Sequence, residues 1–180
     1  MIGSRLHRFF PVRTVKQLLS LYCTNMKMPL PVFCSGTVIK GFGRGSKQLG
    51  IPTANYPEDV VARLPTDIPT GVYYGWAKVN SGKVHKMVMS VGWNPFYKNE
   101  KKSMETHILH EFEKDFYGSN LSLIMVGFVR EERNFNSLDE LISAIHADIK
   151  EAETQLELPE NNQYKDSSFF KQKPTSDSQL

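Results

Sequence analysis

Between residues 32 and 130 this chain has no segment suited to be a crossover helix, and that absence limits its fold more than any other feature. Short β-rich runs follow one another: "VFCSGTVIKG", "GVYYGWAKVN", "KVHKMVMSVGW", "SMETHILHEF" and "LSLIMVGFVR". The segments between them are turn-like, among them the proline-rich "EDVVARLPTDIPTG", the Ser81-Gly82 pair and Tyr117-Gly118. Parallel neighbours need a connection of about a dozen residues or more, usually helical. The pattern therefore predicts a mainly β chain forming a small antiparallel barrel rather than a parallel α/β sheet. Ser81-Gly82 reads as a hairpin turn. One helix is predicted, late in the chain, where Ser137 and Glu140 form a capping-box pattern. Leu138, Leu141, Ile142, Ile145, Ile149, Ala152 and Leu156 then follow helical spacing, so this face should pack on the barrel and the helix should end before Pro159.

The 180 residues suit one domain with tails, and the 40% hydrophobic and 23% charged content is that of a globular chain. No apolar run approaches the roughly 18 residues of a membrane span. Two cysteines, Cys23 and Cys34, make no disulfide framework and point to a reducing compartment. The net charge of +3 is unevenly placed. Residues 1–28 hold five cations and no acid, while the other 17 cations face all 19 acids. The body of the protein is slightly acidic, which argues against a general polyanion binder. The expected organisation is an N-terminal extension (1–29), a barrel domain with its helix (30–160) and a polar, frayed tail (161–180). The extension is Arg-bearing and acid-free, with Val15, Leu18, Leu19 and Tyr22 on one helical face. That composition resembles a mitochondrial presequence, so the expected location is cytoplasmic or mitochondrial.

"GFGRGSKQLGIPTAN", residues 41–55, packs four glycines and two cations into fifteen positions. It is not a Walker loop, because Gly45 is followed by Ser46 rather than lysine. It is not a dinucleotide or protein-kinase loop, because Ser46 stands where the third glycine is needed. Glycines still let backbone amides approach an anion, and Lys47 adds a point charge. Pro52 biases Ile51 towards extended geometry. If the chain continues as a strand, Thr53 and Asn55 share a face and offer two hard, neutral oxygens suited to Mg²⁺. The same residues also fit a turn loop followed by an ordinary edge strand. In "SMETHILH", strand alternation puts Glu105 and His107 on one face and Thr106, Ile108 and His110 on the other, so the two histidines make a poor metal pair. Glu105 is either a solvated strand carboxylate or a base beside a substrate hydroxyl.

In combination with "GVYYGWA", "SVGWNP", "KSMETHILH", "DFYG" and "SLDELISAI", the glycine loop ending in P-T-A-N resembles the eukaryotic, single-function riboflavin kinases over about residues 31–160. The resemblance implies a six-stranded antiparallel Greek-key β-barrel with a C-terminal helix, and transfer of the ATP γ-phosphate to riboflavin to give FMN and ADP. It implies Mg²⁺, or Zn²⁺, on Thr53 and Asn55, and Glu105 as the catalytic base. Gly41, Lys47, Ile108, His110 and Tyr117 match nucleotide-binding positions. Arg130, Arg133 and Phe135 in "VREERNF" match positions near the flavin, with Arg133 where the family pattern leads one to expect lysine. The polar stretch "GWNPFYKNEKK" is a candidate flap. A monomer is expected, with riboflavin, FMN, ATP and ADP as partners, no nucleic acid and no membrane span. The length leaves no room for a second, FAD-forming domain. Two other classes fit parts of the sequence: a single-strand nucleic-acid barrel stacking bases on Tyr73, Tyr74 and Trp76, against which the near-neutral body argues, and a flavin carrier of the same fold without catalysis, against which Thr53, Asn55 and Glu105 together argue.

Overall fold

Side chains alternate between two faces along each strand, and consecutive buried residues in the strands Gly71–Val79, Val84–Trp93 and Asn120–Arg130 show that both faces are covered at the middle of the sheet. The computed structural model describes residues 28–41, 50–93 and 101–172. The presequence-like segment, Lys47 with the rest of 42–49, positions 94–100 of the candidate flap and everything after 172 lie outside the described residues. The strands are β1 (Val32–Thr37), β2 (Ala54–Asn55), β3 (Gly71–Val79), β4 (Val84–Trp93), β5 (Lys102–Ile108) and β6 (Asn120–Arg130). They form one six-stranded sheet in the order β1-β6-β3-β4-β5-β2, with every neighbour antiparallel. The sheet curls into a half-barrel. Its two edges come together where the Ile39 amide, just after β1, donates to the Asn55 carbonyl of β2 (2.9 Å). The expected hairpin joins β3 to β4, with Asn80 in the left-handed region (φ 49°) that asparagine tolerates.

The concave face holds the main core. Tyr73, Met87, Met89, Val91, Met104, Leu121, Leu123 and Met125 meet there, and the one-turn helix α1 (Glu58–Val61) adds Val60 and Val61. Cys34 is part of this core, and burial pushes its thiol up to about 11, so it serves packing rather than nucleophilic chemistry.

The convex face carries Tyr74, Trp76, Val88 and Ile124, covered by helix α2 (Leu138–Glu157). The expected cap forms in part: the Ser137 hydroxyl accepts from the Glu140 amide (3.2 Å), but the Glu140 carboxylate accepts from the amide of Asn136, one residue before the cap (2.9 Å), rather than from that of Ser137. The buried stripe shares Ala152 and Leu156 with the expected one and differs from it elsewhere. It runs through Ala144, Asp148, Ala152 and Leu156, while Leu138 is exposed and Leu141, Ile142, Ile145 and Ile149 are half-buried. The bulk in this interface comes from Tyr74 and Trp76 of the sheet, so small helix residues let the backbones approach.

The tail also departs from the frayed state expected of it. Helix α3 (Pro159–Asn162) and two 3₁₀ turns (Gln163–Asp166 and Ser168–Lys171) continue the chain across the convex face. Trp76 Nε1 donates to the Asn161 carbonyl (3.0 Å), and Phe170 is buried with Trp76, Ile124 and Leu156. The Phe169-Phe170 pair supplies the apolar anchor that the polar composition of the tail obscured. Phe170→Ala is expected to cost about 3 kcal/mol, the low end for a buried Phe→Ala change. The readout is a lower urea midpoint at unchanged m-value. A loss below about 0.5 kcal/mol, the scale of a surface substitution, would mean that this segment does not dock.

Candidate active site

Hydrogen-bond register places a single row of side chains across five strands. Asn55 of β2 pairs with Glu105 of β5, Glu105 with Ser90 of β4, Ser90 with Val72 of β3, and Val72 with Arg130 of β6. Cross-strand partners project to the same face, so the row lies on the convex side, beside α2. Arg130 reaches it only because β6 carries two irregularities. The β3–β6 register shifts between Val72 and Tyr73 and again between Tyr74 and Gly75. Continued unbroken from the Trp76–Ile124 pair, the register would carry Arg130 past Gly71, the first residue of β3. Bulges of this kind re-aim strand residues.

At one end of the row, Asn55 is only 7% exposed and sits against the start of the glycine loop. A Cβ on Gly41 would collide with the Asn55 carboxamide, so glycine is required for that approach. Gly50, at the far end of the loop, takes φ 74°, which glycine adopts without strain. Thr53 is half-buried and precedes β2, whose Ala54 turns into the core. Alternation places Thr53 on the Asn55 side. His107, on the same face as Glu105, donates from Nδ1 to the Pro52 carbonyl (2.8 Å) and ties "PTAN" to β5. Its partner in H-x-x-H, His110, does not join it. His110 is exposed and stacks on His85, with ring centroids 4.0 Å apart and planes 14° from parallel. Burial, and then the neighbouring His110, lower the His85 pKa and favour its neutral form.

The expected nucleotide positions extend along β5 and beyond it. Ile108 turns its side chain into the core and its carbonyl accepts from the His110 amide (2.8 Å), whereas Tyr117 is exposed. Phe112 packs edge-on against His110 and leads to Phe116. β5 ends at Ile108, about 10 Å from Glu105 at ~3.3 Å per strand residue, and the chain then turns, so His110 lies beyond the strand end. At the other end of the row, Arg130 lies against Phe135, 5.7 Å from guanidinium carbon to ring centroid, and Arg133 covers the same ring at 5.0 Å. Both expected arginines therefore converge on the expected aromatic. Three strand steps, about 14 Å at ~4.8 Å each, separate Glu105 from Arg130, comparable to the length of riboflavin. The two directions meet at Glu105.

Three contacts of this arrangement, those of Asp148, His107 and His85, were not legible in the sequence. Asp148 forms a two-pronged ion pair with Arg130, and a carboxylate spaced four residues from both Ala144 and Ala152 was the available sign. His107 gave none, since its partner is a backbone carbonyl. His85 became visible only when folding brought it to His110. The nucleic-acid reading is overturned here, because Tyr73, Tyr74 and Trp76 are buried (0, 8 and 2% exposed) and none can stack a base. Among the described residues no three His, Cys, Asp or Glu side chains form a metal cluster. No helix among them is long and apolar enough to cross a membrane.

The line of β5 and the row running across the sheet to Arg130 thus cross at one carboxylate, with Gly41 at the start of the glycine loop against its neighbour Asn55. The comparisons specify the class as phosphotransferase. A family model described as riboflavin kinase matches residues 28–156, and the chain belongs to that family. The mouse and human riboflavin kinases are each 65% identical to it over 141 residues, covering 78% of this chain and 91% of theirs. The crystal structure of riboflavin kinase from Trypanosoma brucei superposes with a TM-score of 0.65 at 28% identity, covering 82% of this chain and 93% of that one.

Gly41→Ala is expected to displace the Asn55 carboxamide and lower kcat/KM for ATP about 10²-fold, the scale that ~1 Å of misplacement costs. Thermal unfolding should shift by no more than a few degrees. Unchanged kinetics would separate the Gly41–Asn55 approach from nucleotide binding.

Proposed function

We propose that the chain phosphorylates the 5′-hydroxyl of riboflavin from ATP, giving FMN and ADP, with Glu105 as general base. The observation that carries this reading is the direct pairing of Asn55 with Glu105. It sets an amide oxygen suited to a metal–phosphate beside a carboxylate suited to an alcohol. Glu105 accepts the hydroxyl proton as the new oxygen–phosphorus bond forms. The bond between the γ-phosphorus and the β–γ bridging oxygen breaks, and ADP leaves. Riboflavin's hydroxyl is too weak an acid to ionise unaided at neutral pH, and a positioned base is worth typically ~10²- to 10⁴-fold.

Gly41, with the loop that carries Lys47, cradles the phosphates, and His110 and Tyr117 receive the nucleoside beyond β5. Thr53 and Asn55 offer neutral oxygens, a donor set that fits Mg²⁺ better than Zn²⁺, which favours imidazole and thiolate. The ion, when bound, neutralises phosphate charge. Arg130, Arg133 and Phe135 bound the flavin end, where a flat ring lies against an aromatic and polar edges meet N–H donors. The chemistry is mainly positioning and electrostatics, as phosphoryl transfer requires. A carrier without catalysis would have no use for the Asn55–Glu105 pair.

The test is incubation of purified protein with riboflavin, ATP and Mg²⁺ and chromatographic separation of the flavins. Wild type should form FMN, and Glu105→Gln should lose about 10²- to 10⁴-fold in kcat while still binding riboflavin. Near-normal turnover by Glu105→Gln would remove Glu105 from the role of base. Riboflavin binding by wild type without FMN would favour the carrier.

A further inference from the structure

We propose that Asp148 is a positioning residue for the flavin: it fixes Arg130 and compensates its charge, so that the guanidinium serves as a neutralised hydrogen-bond donor at the flavin end of the row. This inference rests on the placing of Arg130 beside riboflavin in the proposed reaction.

Asp148 sits in the middle of the buried stripe of α2, only 6% exposed, between Ala144 and Ala152. Packing alone would favour an apolar residue there, and a buried carboxylate is kept only when it is paired. The pair is well made. Arg130 Nε donates to Asp148 Oδ1 at 2.8 Å and Nη2 to Oδ2 at 2.7 Å, a side-on fork in which both oxygens are used. A third donor, Nη1, goes to the Glu131 carbonyl at 3.0 Å. A guanidinium carries five N–H groups, so two remain for a ligand. The three bonds fix the plane of the guanidinium, and its carbon stands 5.7 Å from the Phe135 ring centroid.

Two consequences follow. Arg130 is at the end of β6, where the two register shifts deliver its backbone to the Glu105 row, but a long side chain there would sample many rotamers. Asp148, on a helix that packs against β3, β4 and β6, takes that freedom away. An unpaired arginine would also attract anions such as phosphate. With its charge met by Asp148, it suits the neutral carbonyl oxygens and ring nitrogens of a flavin. Buried ion pairs add little net stability compared with apolar replacements, so geometry explains this one better than folding does.

The test is a mutant cycle read by steady-state kinetics and by quenching of riboflavin fluorescence on binding. Asp148→Asn is expected to raise the riboflavin KM and Kd about tenfold, with the KM for ATP within about twofold of wild type; tenfold corresponds to ~1.4 kcal/mol of lost interaction. Arg130→Gln should raise them at least as much. The double variant should bind riboflavin no more weakly than Arg130→Gln alone, because Asp148 acts through Arg130. Additive losses in the double variant would overturn the proposal, as would equal rises in both KM values. If Asp148→Asn does not fold, Asp148→Glu keeps the charge but moves it by one methylene. A several-fold rise in riboflavin KM at unchanged ATP KM would support the proposal, and wild-type kinetics would overturn it. A wild-type protein that neither binds nor phosphorylates riboflavin would refute the proposed function itself, an outcome visible before any variant is compared.

Discussion

The pairing of β5 between β2 and β4 is the constraint on which the site depends. Glu105 has Asn55 on one side and Ser90 on the other, across strands held by backbone pairing. Slipping β5 by one residue would send Glu105 into the core and bring Thr106 out. Methionine, leucine and valine filling the concave face make that slip costly, since Met104, Thr106 and Ile108 would all leave the interior together. The core therefore sets the register, and the register sets the chemistry. β2 is only two residues long. It is held by the Ile39 bridge on one side and, through Pro52, by the His107 side chain on the other. So small an edge strand needs these ties if its oxygens are to be presented at a constant distance from a carboxylate.

The convex face is divided along its length. Tyr74, Trp76, Val88 and Ile124 are sealed by the second half of α2 and by Phe170. The row from Asn55 to Arg130 lies towards the open end of the same face, and there α2 contributes a carboxylate instead of an apolar side chain. One helix thus closes the apolar part of the sheet and holds an arginine at the end of the row. The bulges in β6 serve the same division, since they shift Arg130 along the strand while returning its side chain to the convex face. Phosphoryl transfer asks for two substrates to meet at one point. A sheet supplies this naturally, because strand direction and hydrogen-bond direction are perpendicular and cross at Glu105.

Much of this was legible in the sequence where local chemistry has a period or a spacing. The antiparallel class followed from strands without crossovers, the hairpin from Ser81-Gly82, and the helix with its cap from Ser137, Glu140 and the proline at 159. Alternation separated His107 from His110 correctly. What the sequence withheld was whatever depends on long-range approach. The stripe of α2 was legible at Ala152 and Leu156 but not at Ala144 and Asp148, because its partners Tyr74 and Trp76 are large and leave room only for a small residue. The polar composition of residues 161–172 hid the anchoring of Phe170. Asp148 could be seen as a charge among apolar positions, but its partner lies on a different element. The register shifts of β6 had one faint signal, Gly127 within an apolar strand. The loop residues 42–49 and the candidate flap over 94–100 add nothing to this comparison, since both lie outside the described residues.

On the proposed function, the reaction takes place on the convex row, with its acceptor hydroxyl at Glu105. The most direct measurement is a crystal structure of the protein with riboflavin, ADP and Mg²⁺. The account predicts the ribityl 5′-oxygen at about 2.6–3.2 Å from a Glu105 carboxylate oxygen, the reach of a general base. It also predicts the metal on Thr53 and Asn55 and the flavin ring beside Phe135 and Arg130. A flavin bound within the concave core, or a 5′-oxygen well beyond that distance with Glu105 facing solvent, would contradict it.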